Sequence, residues 1–260
     1  RRDEVLATLR ESGIEATPTM LSPIGVRLKS KPALERHALI TGGHVEVQDE
    51  GSQIASLLVD ARRHQMVVDF CAGAGGKTLA LGAAMRSEGR LYAFDTSEKR
   101  LLNLRPRLKR SGLSNVHPQL IDSENDARVK RLAGKIDRVL VDAPCSGTGT
   151  LRRNPDLKWR MSLEAIRELT AKQSTILRAA ARLAKPGGRV VYVTCSLLPE
   201  ENESVVDAFL DEHSGWSLLD AHVVLRAFDI SIGGEGPYLR LNPALHDTDG
   251  FFAAVLSRPL

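Results

Sequence analysis

The chain has 260 residues, of which 42% are hydrophobic and 26% are charged. This composition is that of a globular protein with a sizeable core, and it excludes a disordered chain. The formal net charge of +4 is compatible with a polyanionic partner, but so small an excess does not indicate one by itself.

No apolar run approaches the length of a membrane span, and the first residues lack the apolar stretch of a secretory leader. We therefore expect a cytoplasmic protein that does not enter a membrane. The three cysteines, Cys71, Cys145 and Cys195, lie far apart without a CxxC pair, which is typical neither of a disulfide framework nor of a zinc site. Free thiols and no bound metal are expected.

The front of the chain has a weaker pattern than the rest. Apolar residues at helical spacing predict a helix over residues 3–12, and alternation predicts short strands around Val26 and at residues 44–49. Ser52 is then expected to cap a helix that carries Ile54, Leu57 and Leu58.

From residue 66 onward, strand and helix patterns alternate. Strands are predicted at residues 66–70, 90–94, 116–121 and 136–143. Helices are predicted between them at residues 78–85, 98–110 and 127–133. Such alternation is typical of a doubly wound sheet.

The second half of the chain continues this alternation. A helix over residues 162–184, begun by Ser162 and ended by residues 185–188, is predicted to precede a strand at residues 189–194. An acidic helix at residues 200–212, a loop at residues 233–237 and closing strands at residues 216–219 and 251–256 complete the pattern.

We therefore expect an α/β fold in two parts. Residues 1–50 are predicted to form a small N-terminal α/β lobe. Residues 51–260 are predicted to form a doubly wound, mostly parallel, Rossmann-like sheet domain.

A glycine-rich turn, DFCAGAGGKT, joins the first strand of the sheet to its helix. Glycines let the backbone approach a ligand closely, and the helix N-terminus offers free N–H groups. Asp95 ends the next strand, where an adenosyl site places a carboxylate against ribose hydroxyls. Loop and acid together favour an adenosine-containing cofactor, although a tight turn and an exposed cap explain each one alone. Asp122 and Asp142 end the third and fourth strands in the same way.

The same loop admits a second interpretation as a phosphate-binding P-loop. Gly76, Lys77 and Thr78 resemble the end of that motif, and Asp142 resembles the strand acid that assists magnesium in NTPases. A P-loop requires glycine five positions before Gly76, and that position is Cys71. An NTPase is therefore a minor alternative, which measurable ATP hydrolysis would revive.

Cys145 and Cys195 follow the fourth and fifth strands. Because neighbouring parallel strands end at one edge of a sheet, both thiols are expected to face one crevice. Two thiols there suggest covalent catalysis, whereas free cysteines are also among the most frequently buried residues. Both interpretations stay open at this point.

Four segments together resemble the successive motifs of the Sun (Fmu) family of S-adenosylmethionine-dependent RNA cytosine-5 methyltransferases. They are FCAGAGGKT, AFDTSEKRL, DAPCSGTGTLRRNPDLKW and VVYVTCSLLPEENE. The resemblance runs from about Gln48 to the end of the chain, and Ala74 departs from it, since the family usually has proline there. It implies a Rossmann-like methyltransferase sheet, S-adenosylmethionine (SAM) as cofactor and ribosomal or transfer RNA as substrate.

The resemblance also implies residue roles. Cys195 would attack carbon 6 of cytosine, Cys145 would release the methylated product, and Asp142 would lie near the methionine end of SAM or the target base. Asp95 would contact the ribose and Asp122 the adenine. The loop residues implied to contact SAM are Cys71, Ala72, Gly73, Ala74, Gly75, Gly76 and Lys77.

Two basic clusters accompany these motifs. The first is expected to be a solvated face and comprises Arg100, Arg105, Arg107, Lys109 and Arg110. The second adjoins the Cys145 loop and is expected to contact RNA phosphates and position the target base; it comprises Arg152, Arg153, Lys158 and Arg160, with Trp159 among them. The non-enzymatic alternative is an RNA-binding protein of the same fold, which cofactor binding without turnover would favour.

Overall fold

The computed structural model describes residues 2–260. The front of the chain forms helix α1, a two-stranded antiparallel sheet of β1 and β2, helix α2 and helix α3. Their bounds are Arg2–Glu11, Ala16–Pro18, Val26–Leu28, Ala38–Thr41 and Glu50–Leu57.

Two predictions for this part are wrong. Residues 44–49 form no strand, because the amides of His44 and Val45 donate to the carbonyl of Leu39 instead of to a strand. Asp49, not Ser52, caps α3, since its Oδ1 accepts from the Gly51 amide at 2.8 Å. The helix thus begins earlier than the apolar periodicity indicated.

The remaining elements include every strand and helix predicted from residue 66 onward and four short elements that were not predicted, a strand at residues 239–241 and helices at residues 157–160, 221–226 and 243–246. In chain order they are β3 (Met66–Asp69), α4 (Gly76–Ala84), β4 (Arg90–Asp95), α5 (Glu98–Ser111), β5 (Val116–Leu120), α6 (Ala127–Lys130), β6 (Ile136–Asp142), α7 (Leu157–Arg160), α8 (Leu163–Ala181), β7 (Ala184–Thr194), α9 (Glu203–Glu212), β8 (Ser217–Leu219), α10 (Ala221–Arg226), β9 (Leu239–Leu241), α11 (Pro243–His246) and β10 (Phe251–Ser257).

One sheet organises the domain, with strand order β5-β4-β3-β6-β7-β10-β8 and β9 paired to β10. The first five strands are parallel, and β10 runs antiparallel to β7. Strand β6 is buried on both faces, as its apolar run requires: Val139, Leu140 and Val141 are fully buried in two separate core layers. The predicted doubly wound, mostly parallel fold is confirmed.

The end of α8 differs from the prediction. The helix ends at Ala181, and residues 185–188 interrupt β7 instead of preceding it. Pairing with β6 jumps from Ile136 opposite Ala184 to Arg138 opposite Arg189, so the four residues between them bulge out of the ladder. The Gly187 amide donates to the carbonyls of Arg258 and Pro259, which anchors the bulge to the chain end.

Among residues 2–260, no helix is both long and apolar enough to cross a membrane.

Backbone hydrogen bonds tie the segment after β6 to the residues that follow β7 and to those that precede β10. The Gly149 amide donates to the Cys195 carbonyl at 2.9 Å, and the Gly250 amide donates to the Gly149 carbonyl at 2.8 Å. A Cβ on Gly149 would lie 2.3 Å from the Gly250 oxygen and 2.7 Å from its carbonyl carbon. Only glycine allows this approach.

We predict that Gly149→Ala lowers the free energy of unfolding by about 1–3 kcal/mol, because backbone must move to admit the methyl group. Urea denaturation measures the change. Gly233→Ala is the matched control, since a Cβ there meets nothing within 4 Å. Equal stability of the two variants would contradict this packing.

Candidate functional site

The carboxyl ends of β3, β4, β6 and β7 open into a cavity of about 850 Å³. The structure brings nearly all of the predicted site residues to this cavity. They are Cys71, Ala72, Gly73, Ala74, Gly76, Lys77, Asp95, Asp122, Asp142, Cys145 and Cys195. Gly75 is buried behind the loop and lies against Leu104.

The glycine-rich loop has a shape that its sequence requires. Gly73 and Gly75 have φ of +57° and +86°, in the left-handed region that favours glycine. A Cβ on Gly75 would lie 2.1 Å from the side chain of Leu104, whereas one on Gly73 meets nothing within 4 Å. Gly75 is therefore needed for close packing against Leu104, whereas the lack of a side chain at Gly73 leaves open space on the cavity side.

An arginine from α5 fixes this loop from behind. Arg107 Nη1 donates to the Ala74 carbonyl at 2.6 Å, and its Nε and Nη2 donate to Glu46 at 3.1 and 3.0 Å. Arg110 also bonds Glu46, at 2.5 Å. The expectation of a solvated basic face is thus wrong for these two arginines. The alternation at residues 44–49, which predicted a strand, belongs to a segment in which Glu46 pairs with both arginines.

Asp95 is buried at the rim of the loop, with 5% of its surface exposed. Its Oδ2 accepts from the Gly73 amide and its Oδ1 from the Ser97 amide, at 2.8 and 2.7 Å. Each carboxylate oxygen keeps a lone pair for a ligand hydroxyl. Asp122 lies exposed at the opposite side of the cavity mouth.

Several charged and polar side chains lie close together at the inner end of the site. Lys77 Nζ pairs with Asp142 Oδ2 at 2.7 Å. Burial disfavours the Lys77 charge, but the carboxylate of Asp142 outweighs it and leaves the pKa of Lys77 raised. Asp69 accepts from Thr78 Oγ1 at 2.6 Å, and burial raises the pKa of Asp69 to about 7.

The sulfurs of Cys145 and Cys195 lie 3.4 Å apart, within reach of an S–H···S hydrogen bond. We assign the shared proton to Cys145. Its hydrogen bond lowers the pKa of the Cys195 thiol, against the opposing effects of burial and of Asp142, and the Lys77 cation lowers it further. Donation to Cys195, together with burial, raises the pKa of Cys145 well above its usual value.

Cys71 behaves differently from this pair. Burial, and then the charge of Asp69, raise the pKa of its thiol well above the usual value. A neutral thiol is a poor nucleophile, so Cys71 serves as part of the cavity wall.

A buried carboxylate behind the cysteines was missed by sequence reasoning. Glu201 is fully buried and bonds Ser146 and Ser196, the residues that follow the two cysteines. From the sequence it belonged to an acidic helix, which favours exposure. Only the repeated Cys-Ser pair hinted that two hydroxyls converge there.

The second basic cluster is also arranged differently from the expectation. Arg153 pairs with Asp49 at 2.8 Å and with Asp249 at 2.7 Å, and Arg152 contacts the same two acids at 3.7 and 3.0 Å. These arginines hold the Cys145 segment against the lobe and β10. Both guanidinium groups are therefore already paired with carboxylates.

The other members of that cluster point outward. Trp159 is 81% exposed, and Lys158 Nζ lies 4.9 Å from its ring centroid. Arg160 pairs with Asp156 on the surface. An exposed indole beside a cation suits contact with an unpaired base.

Within the described part of the chain, no group of three or more histidine, cysteine or acidic side chains is placed to hold a metal ion.

An open parallel sheet with a glycine loop after its first strand and an acid after its second is the architecture of Rossmann-like methyltransferases, and solved structures of that class match the chain. The protein PH0851 superposes with a TM-score of 0.91 at 34% identity, covering 99% of this chain and 57% of that protein. NSun6 from Pyrococcus horikoshii, solved with the SAM analogue SFG, has a TM-score of 0.77 at 28% identity and covers 90% and 59%.

The family model described as 16S rRNA methyltransferase RsmB/F matches residues 56–257, and the chain belongs to that family. The resemblance to the Sun family is thereby confirmed. A relative from Synechocystis, described as a probable ribosomal RNA small subunit methyltransferase B, is 34% identical over 258 residues. The alignment covers 99% of this chain and 57% of that relative, so the chain spans little more than half the length of such proteins.

We predict that Cys145→Ala raises the pKa of Cys195, because the hydrogen bond that stabilises its thiolate is lost. Only the thiolate is alkylated, so the pH profile of Cys195 modification by iodoacetamide, followed by peptide mass spectrometry, moves to higher pH. Cys71→Ala, which keeps both sulfurs, leaves the profile in place. An unmoved profile in Cys145→Ala would refute the assigned proton position.

Proposed function

We propose that this protein is a SAM-dependent RNA cytosine-5 methyltransferase that acts through a covalent cysteine adduct. The observation that carries the proposal is the pair of thiols, 3.4 Å apart, at one wall of the cavity. Membership of a 16S rRNA methyltransferase family supports the reaction class, and ribosomal RNA is the substrate we favour over transfer RNA.

Carbon 5 of cytosine needs activation before it can accept a methyl group. In the proposed reaction, the Cys195 thiolate forms a bond to carbon 6, and the displaced electron pair makes carbon 5 nucleophilic. After methylation, a base removes the carbon 5 proton. The electron pair then re-forms the ring double bond, and the bond to Cys195 breaks.

Attack is assigned to Cys195 because its pKa is the lowered one. We also propose an order of steps from the different acidities of the two thiols. Cys145 stays a thiol while Cys195 is anionic, since the donated hydrogen bond, burial and that neighbouring charge together raise its pKa. Bonding of Cys195 to carbon 6 removes the charge, so Cys145 becomes more acidic. Once solvent water has taken its own proton, the Cys145 thiolate can accept the proton from carbon 5.

The cavity fits SAM. Open space over Gly73 and the free lone pairs of Asp95 suit an adenosine group, for which Asp95 would bind the ribose and Asp122 would lie near the adenine. Loop residues 71–77 would hold the methionine portion, with Asp142 near the reacting centre. Bound SAM supplies an electrophilic methyl group. NSun6, solved with a SAM analogue, supports this assignment.

The proposed RNA surface adjoins the cysteines. Lys158 and Trp159 would contact an unpaired segment, while Arg152 and Arg153 would keep the Cys145 loop in place. We propose residues 1–50 as a lobe attached to the catalytic domain of residues 51–260, and the cytoplasm as the compartment, since ribosomal RNA is the favoured substrate.

Incubation with labelled SAM and transcripts of ribosomal and transfer RNA tests the activity. We expect label at carbon 5 of cytosine. Absence of label from every transcript, with SAM still bound, would instead favour an RNA-binding protein without turnover.

The two cysteine variants should fail in opposite ways. Cys195→Ala is expected to form no covalent RNA adduct, whereas Cys145→Ala should accumulate it, because release is blocked after attack. Denaturing electrophoresis detects the adduct, and SAM binding by calorimetry controls for folding. The reverse pattern would overturn the assignment of roles.

A further inference from the structure

Glu201 lies outside the cavity, directly behind the two cysteines, and no part of the proposed reaction uses it. It is fully buried and ends a short 3-10 turn, Pro199–Glu201, after β7. A buried carboxylate destabilises the fold unless several hydrogen-bond donors surround it. The donors around Glu201 therefore show which parts of the structure it connects. Two of those donors, Ser146 and Ser196, belong to the segments that carry the cysteines, called the Cys145 loop (residues 143–149) and the Cys195 loop (residues 195–201).

The Cys145 loop donates to both oxygens of Glu201. The Ser146 amide donates to Oε1 at 2.8 Å, and the Ser146 hydroxyl donates to Oε2 at 2.5 Å. Gln173, from α8, links Glu201 to the residue before Cys145. Its Nε2 donates to Glu201 Oε1 at 3.0 Å and to the Pro144 carbonyl at 2.9 Å. The residues on each side of Cys145 are thus tied to one carboxylate.

The Cys195 loop contributes the remaining bond. The Ser196 hydroxyl donates to Glu201 Oε2 at 2.5 Å, and the Glu201 amide donates to the Leu198 carbonyl at 3.1 Å. The Tyr192 hydroxyl, from β7, donates to the Glu201 carbonyl at 2.7 Å. Four donors converge on the side chain, and an amide in its place would turn an NH₂ group toward some of them.

We propose that Glu201 is a positioning residue: its carboxylate clamps the Cys145 loop to the Cys195 loop and so sets the separation of the two sulfurs. The inference rests on the proposed function for its catalytic consequence. The positioning of the two loops by Glu201 can be tested without RNA.

Glu201→Gln is the test variant, and Glu200→Gln is its matched control. Glu200 is exposed in the same turn, so the control makes the same chemical change one residue away. The first measurement is the rate at which diamide oxidises Cys145 and Cys195 to a disulfide. The two thiols lose two hydrogens, which reduce diamide to its hydrazine, and the rate depends on the sulfurs meeting.

We expect the disulfide to form about tenfold more slowly in Glu201→Gln than in the unmodified protein and in Glu200→Gln. SAM affinity should stay unchanged, because Glu201 does not line the cavity. In a single turnover with labelled SAM and a 16S rRNA transcript, methyl transfer should fall about 10- to 100-fold, as expected for misplaced reacting groups. A purely structural role would lower SAM affinity and transfer together.

A disulfide rate equal to that of the unmodified protein would overturn the inference. If Glu201→Gln does not fold, Ser146→Ala combined with Ser196→Ala removes the two hydroxyl donors to Glu201, together with the bonds that those hydroxyls accept from the Thr148 and Leu198 amides, and is expected to slow the disulfide in the same way. If the unmodified protein does not methylate RNA, the proposed function is wrong. The rate of disulfide formation with diamide still tests whether Glu201 positions the two loops.

Discussion

The contact between the sulfurs of Cys145 and Cys195 is the constraint on which the site depends. Strands β6 and β7 are parallel neighbours, and their ladder ends with Asp142 opposite Val193. The two cysteines follow within three residues of that last pair, so the sheet itself delivers both thiols to one point. The hydrogen bond between them lowers the pKa of Cys195 and raises that of Cys145, so the two thiols differ in acidity. The division of labour we propose for the cysteines depends on that asymmetry.

Charge around the thiols is arranged in two layers. On the cavity side, Asp142 pairs with Lys77; the Asp142 carboxylate raises the pKa of Cys195, and the Lys77 cation opposes that effect. Behind the cysteines, Glu201 gathers hydroxyl and amide donors from both loops. Buried charges of this kind cost stability unless they are fully bonded, and they confer a fixed geometry in return. The ion pairs of Arg152 and Arg153 with the acids around Asp249 extend the same role to the edge of the site.

The sequence predicted the sheet because apolar runs such as residues 139–141 alternate with helices such as α5 and α8, whose apolar periodicity is clear. It also placed the loop at residues 71–77, Asp95 and the two cysteines at one edge, since parallel strands share their carboxyl ends. Short elements such as β9 and α10 escaped, because three to six residues carry too little periodicity. The partners of Arg107, Arg153 and Glu201 escaped as well. Most of these partners are distant in sequence, and a charged residue in a polar run gives no sign that it is buried or paired.

The central claim is that Cys195, and not Cys145, bonds to cytosine. A 16S rRNA transcript containing 5-fluorocytidine tests it directly, because fluorine at carbon 5 cannot be removed as a proton and the adduct stays trapped after methyl transfer. Protease and nuclease digestion followed by mass spectrometry then identifies the modified cysteine. The account predicts a nucleotide on the peptide that contains Cys195. A nucleotide on the Cys145 peptide would contradict it.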